Sequence, residues 1–373
     1  MARAIEPLGP TPESTLAETT LVVSPGTDVL AGVIKLRALR LAWQKLALAV
    51  GGASRPFIAG LTSERALSRL DAPTNMIRAT LETTALILGG ADLIVTRAYD
   101  ELAPASERSR VGARLAKNTQ LVLRDEANLG RVADPAGGAY YVESMTDALA
   151  RAAWTELRAI EREGGVRASL ASGAFPARVA AARGAASKLV ATKRRILIGV
   201  NDFADASEPA PTLTDARFSG PLAPVRAADA FEHLRARAGE LAKLGRRPRV
   251  LLACLGEPGD HRAREEFSRR FFEVGGFYVD SESGVDASWV RAAVARTGVP
   301  VVVLCSSDER YAALGIEAVR EARAGGATSV VLAGRPGAMD ASLREAGLDL
   351  SIHFGCDAIP ILRAALEGKG EKS

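Results

Sequence analysis

Five short apolar runs in the last third of the chain restrict its fold more than any other feature. Val250–Leu255, Phe277–Val279, Val301–Cys305, Ser329–Ala333 and Leu350–His353 alternate with helical tracts. A strand that is apolar on consecutive residues has to be covered on both faces, as in a parallel sheet flanked by helices. The spacing therefore predicts a five-stranded, doubly wound parallel sheet over residues 246–373. Sheets of this kind take ligands outside the carboxyl ends of their strands, here around Gly256, Ser306 and Gly334.

The first half alternates as well, with fewer units. Thr20–Val23 is β-rich and ends at Ser24-Pro25-Gly26. Thr27 or Asp28 can then cap a helix with an apolar face of Val29, Val33, Leu36, Trp43 and Leu46. Arg55–Ala59 reads as a second strand, followed by a helix from about Ala72 to Leu88 that Gly89-Gly90 stops. Asp92–Thr96 reads as a third strand, with a helix from about Ser106. Such alternation argues for a parallel α/β sheet or barrel. A closed eightfold barrel needs about 250 residues and eight strands, whereas this part of the chain offers three or four. From Met145 to about Val200 the pattern is mainly helical. The expected division is a flexible arm over 1–18, a partial barrel with following helices over 19–201, a Pro/Ala/Ser-rich linker and connecting helix over 202–245, and the sheet domain over 246–373.

Charge narrows the function classes. Forty-eight basic against 44 acidic side chains leave +4, a surplus too small to suggest nucleic acid or a membrane surface as partner. No apolar run reaches the ~18 residues of a membrane span, and the N-terminus lacks the apolar stretch of a signal peptide, so a cytoplasmic location is expected. Cys254, Cys305 and Cys356 are widely spaced and odd in number, which reads as buried free thiols. His233, His261 and His353 show no ligand spacing with a cysteine, so no metal site is expected.

The stretch Lys117–Glu143, KNTQLVLRDEANLGRVADPAGGAYYVE, joins the two patterns. It begins on a helix, turns at Asp134-Pro135 and Gly137-Gly138, and continues through Tyr140-Tyr141-Val142, a short strand-like run that hands over to a helix at Ser144. NTQLVL followed by DPxGGAYYVE resembles the signature of the adenosylcobalamin-dependent acyl-CoA mutases, the methylmalonyl-CoA mutase family. The resemblance runs from about Ser24 to Leu366. It includes SPGTDVLAGVIKLRALRLAWQKL, ASKLVATKRRILIGVNDF and RPRVLLACLGEPGDHRAREEF. It implies a partial (β/α) TIM-type barrel followed by a flavodoxin-like, cobalamin-type domain.

The chain departs from that pattern where the family's chemistry sits. Catalytic members follow the first strand of the C-terminal domain with Asp-x-His-x-x-Gly, whose histidine ligates cobalt. Here Pro258, Asp260 and Ala263 occupy those places and His261 falls one residue late. The resemblance thus leaves a degenerate cofactor site, with Gly256, Gly259, Asp260, His261, Ser306 and Gly334 as its remaining candidates, His261 as a solvated loop histidine, and no catalytic residue. In the barrel segment, Ala59 and Leu61 stand in place of a histidine and a glutamine, and Val95-Thr96-Arg97 in place of His-Thr-Asn. LACLG and LCSSDERYA are most similar to the small, non-catalytic subunit of two-subunit mutases. The implied role is support of a large catalytic subunit that isomerises methylmalonyl-CoA and succinyl-CoA with adenosylcobalamin, which this chain does not bind tightly. The earlier barrel strands have no counterpart, so a separate chain carrying the missing barrel half is a further expected partner. Two alternatives stay open: a catalytic half completed by a second chain, and a loose cobalamin-binding module.

Overall fold

The computed structural model describes residues 11–52, 55–213 and 218–367. It is a mixed α/β structure with parallel sheets, divided into two compact units. One takes residues up to 67, 72–184 and 216–226; the other takes 68–71, 185–215 and the chain from 227 onward.

In the first unit a short helix, α1 (Pro12–Glu18), precedes β1 (Thr20–Val23), α2 (Val29–Ala49), β2 (Phe57–Leu61), α3 (Thr74–Leu88) and β3 (Leu93–Val95). Then come helices α4 (Arg110–Asp125), α5 (Tyr140–Arg162), α6 (Val166–Ala171) and α7 (Ala174–Ala191). Asp28 is the residue that caps α2, accepting from Ala31 N at 3.0 Å. The strands pair in parallel in the order β1-β2-β3, with Leu21 opposite Ile58 and Gly60 opposite Ile94. Ile58, Leu36 and Leu86 bury one face of this sheet under α2 and α3. The other face is bare: Val22 is 69% exposed, Phe57 48%, Leu93 50% and Val95 47%.

Two expectations change here. Residues 1–10 of the expected arm lie outside the described residues, but 12–18 form α1, because Leu16 finds an apolar seat on Trp43 and Ala47. Tyr140-Tyr141-Val142 is the first turn of α5 and not a strand. Among the described residues no strand pairs with it, both tyrosines are exposed, and of the three only Val142 is buried, against Val33 and Ile34. The preceding turn puts Asp134 at φ 47 and Gly138 at φ 79. Arg37 of α2 fastens it, binding Asp134 and, at 2.6 Å, Glu143, which also accepts from Gly138 N at 2.9 Å. These bonds hold the Glu143 carboxyl below its ordinary pKa, the Gly138 amide contributing most.

The second unit contains α8 (Asp229–Lys243), β4 (Arg249–Leu255), α9 (Pro258–Glu273), β5 (Tyr278–Gly284), α10 (Trp289–Thr297), β6 (Val301–Cys305), α11 (Asp308–Ala324), β7 (Ser329–Ala333), α12 (Asp340–Ala346), β8 (Leu350–Ile352) and α13 (Ala358–Glu367). All five strands are parallel, in the order β5-β4-β6-β7-β8. The period of two splits β4 between two cores. Val250, Leu252 and Cys254 meet Phe231, Phe271 and Phe272 on one side. Leu251, Ala253 and Leu255 meet Val290, Ala318 and Val319 on the other. β5 extends to Gly284, beyond its apolar run, because as an edge strand it tolerates Asp280, Ser281 and Glu282.

Residues 202–228 carry no helix or strand among those described, yet they are more than a spacer. Glu208 pairs with the buried Arg235 at 3.1 Å and accepts from Asp71 N at 2.6 Å. The short hook 68–71 belongs to this unit: Leu70 enters its core and Arg69 N donates to Glu232 Oε1 at 2.9 Å. Among the described residues no helix is long and apolar enough to cross a membrane.

Candidate functional site

At the carboxyl ends of the second unit's strands, the chain's own side chains occupy the crevice. Gly256 turns at φ +93, and a Cβ there would lie 2.4 Å from Asp260 Oδ2. That oxygen accepts from Glu257 N at 3.0 Å and from Arg310 Nε at 3.1 Å. Asp260 thus holds the first turn of α9 and an ion pair across to α11. Ser306 is buried, its hydroxyl donating to Leu255 O at 2.6 Å. Arg264 donates to Ser306 O and Asp308 at 2.5 Å each, and its guanidinium lies 3.1 Å from where a Gly334 Cβ would stand. The Arg264 cation also sits 5.0 Å from the centre of the Tyr311 ring. The Tyr311 hydroxyl accepts from Ser306 N at 2.9 Å and donates to Leu304 O or Ala333 O, at 2.8 and 2.9 Å. Burial pushes its pKa up.

Gly256, Asp260, Ser306 and Gly334 are therefore gathered at one end of the sheet, while Gly259 faces open space. His261 is elsewhere. It was expected as a solvated loop residue, but Pro258 starts α9 only two residues after the strand, which puts His261 inside a helix with 7% of its surface exposed. Its Nδ1 lies 3.2 Å from Glu265 Oε2, one helical turn on. Cys254, His261 and Glu265 bring their ligand atoms within 4.8 Å of one another, a grouping that the spacing in the sequence conceals.

The first unit has its own polar cluster at the carboxyl ends of β1, β2 and β3. Thr62 is buried; its hydroxyl accepts from Arg97 N at 2.8 Å and its carbonyl from Arg97 Nε at 2.9 Å. Arg97 pairs with Glu101. Gln120, from the NTQ stretch, donates to Ile94 O and Thr96 Oγ1 at 3.3 and 3.1 Å. Thr96, Arg97, Glu101 and Gln120, with Leu61 and Lys117, line an open cavity of about 370 Å³. Nearby, Glu82 of α3 is almost fully buried and accepts from Ser63 N at 2.6 Å. Burial pushes its pKa up to about 7, against the opposing pull of the Ser63 and Gly26 amides and of Arg97 and Lys35. Sequence reasoning passed over Glu82. The available signal was its helical spacing, three residues after Ala79 and four before Leu86 on the same face.

The family model for methylmalonyl-CoA mutase matches residues 16–237. A methylmalonyl-CoA mutase small subunit of Streptomyces virginiae is 35% identical over 99% of this chain and 59% of its own length. One of Propionibacterium freudenreichii subsp. shermanii is 32% identical over 91% of this chain and 54% of its own. A methylmalonyl-CoA mutase of Escherichia coli is 32% identical over 48% of this chain and 25% of its own. The chain spans about half the length of the small subunits it matches.

Proposed function

Because the chain belongs to the methylmalonyl-CoA mutase family, we propose that it is a small, non-catalytic subunit supporting a large catalytic mutase subunit. In this proposal the first unit is part of a (β/α) barrel and the second a flavodoxin-like domain whose cobalamin site has degenerated. The large subunit would isomerise methylmalonyl-CoA and succinyl-CoA with adenosylcobalamin. The observation that carries the reading is the filled strand-end crevice. By the resemblance, the histidine that would ligate a corrin's cobalt belongs at the position of Asp260, which is already spent on Glu257 N and Arg310. His261 is buried beside Cys254 and Glu265. The residues present do not fit the cofactor. The bare face of β1-β2-β3 supports the partner half of the proposal, since parallel strands are ordinarily covered on both faces.

Co-expression with a large mutase subunit, followed by chromatography with light scattering and spectral titration with adenosylcobalamin, tests this. A stable hetero-oligomer is expected, with cobalamin bound at the large chain and no micromolar binding by the isolated small chain. Turnover by the isolated chain would instead support a catalytic half. Micromolar cobalamin binding without turnover or partner would support a binding module.

A further inference from the structure

The group formed by Cys254, His261 and Glu265 lies inside the second unit, and none of the three joins the strand-end ion pairs Asp260–Arg310 and Arg264–Asp308. Cys254 comes from β4, on the face that turns toward α9. His261 and Glu265 are four residues apart on α9 and so share one face of the helix. The imidazole is more than nine-tenths buried, and among the described residues neither ring nitrogen has a well-aligned hydrogen-bond partner. The 3.2 Å approach of Nδ1 to Glu265 Oε2 lacks the alignment of a hydrogen bond. Buried polar atoms left in this way are costly unless something binds them. The carboxylate is already oriented from behind. Glu265 Oε1 accepts from Ser281 Oγ at 2.5 Å and lies 3.6 Å from Arg269, leaving Oε2 toward the imidazole. Ser281 Oγ is also 3.6 Å from Cys254 Sγ.

We propose that these three side chains form a binding site for a divalent zinc ion. Thiolate, imidazole and carboxylate are the ligand types zinc prefers, and three protein ligands leave its fourth tetrahedral position to water. Bonds of about 2.0–2.3 Å place tetrahedral ligand atoms about 3.4–3.8 Å apart. The observed spread of 4.8 Å or less therefore needs only side-chain adjustment. Binding is a substitution without redox change: the Cys254 S–H bond breaks, a Zn–S bond forms, and the proton leaves to solvent. The neutral imidazole donates a lone pair. Ser281 and Arg269 act behind Glu265 as partners that fix a ligand's direction. No corrin is involved, and the site stands whether or not the chain serves a large subunit.

Titration of the full chain with Co²⁺, followed by competition with Zn²⁺, tests the site. One equivalent of Co²⁺ is expected to give thiolate-to-cobalt absorption that Zn²⁺ abolishes. Cys254→Ser should remove it, Cys356→Ser should leave it intact, and Ser281→Ala should weaken binding ~10–100-fold. His261→Phe should weaken it at least as much. Glu265→Gln is a near-isosteric change at a partly exposed position. It decides the matter should the buried variants fail to fold, and at least a tenfold loss is expected. Absence of thiolate-to-cobalt absorption in the full chain would overturn the proposal, leaving a His261–Glu265 ion pair only. So would affinity unchanged in Glu265→Gln or absorption retained in Cys254→Ser.

Discussion

Among individual residues, Glu82 and Tyr311 show how a single buried polar group can govern stability. The Glu82 carboxyl titrates near 7 when folded and near 4.5 when unfolded. Below about pH 4.5 both states hold the proton; between the two values the folded state keeps it and the unfolded state has lost it. Stability from this group is therefore present at low pH and declines as pH rises toward about 7, by up to ~3 kcal/mol. Glu82→Gln should raise the urea midpoint at pH 8 by the equivalent of ~1–3 kcal/mol and change it little at pH 4.5. Tyr311→Phe works in the other direction. It strips a partner from Ser306 N and from the Leu304 and Ala333 carbonyls. A loss of ~1–3 kcal/mol by thermal melting is expected.

Elements were legible where the pattern was dense. β6 and β7 fall at the expected residues, and β1 does too, because apolar runs bounded by turn residues leave little room for slippage. The strand expected at Tyr140–Val142 failed because β-prone residues have no effect without a neighbouring strand to pair with. The strand-end grouping of Gly256, Ser306 and Gly334 could be read from topology. The burial of His261 could not, since it depends on α9 starting after a link of only two residues. The boundary of the second unit also moves. A fragment beginning at Arg246 would omit α8, whose Phe231 and Leu234 are core residues. Each costs ~2–5 kcal/mol to lose, against a total stability of ~5–15. Circular dichroism should show no cooperative melt for residues 246–373 and a cooperative one for the full chain.

For the molecule as a whole, the bare sheet face is the feature to test. Val22 and Val95 are exposed in this chain, so Val22→Lys with Val95→Lys should change its own melting by no more than ~0.5 kcal/mol per site. If that face is where a partner docks, the same pair should abolish the hetero-oligomer, whose interface should bury about 2,000 Å² or more. Persistence of the complex would place the docking surface elsewhere. The four-residue hook at 68–71 bears on how the molecule is made. Leu70 leaves the ribosome well before its neighbours in the core, and the Arg69–Glu232 bond spans 163 positions. That closure cannot be rehearsed by a growing chain. It sets a topologically distant step in maturation, and ties completion of the second unit to an amide–carboxylate bond whose donor is made 163 residues before its acceptor.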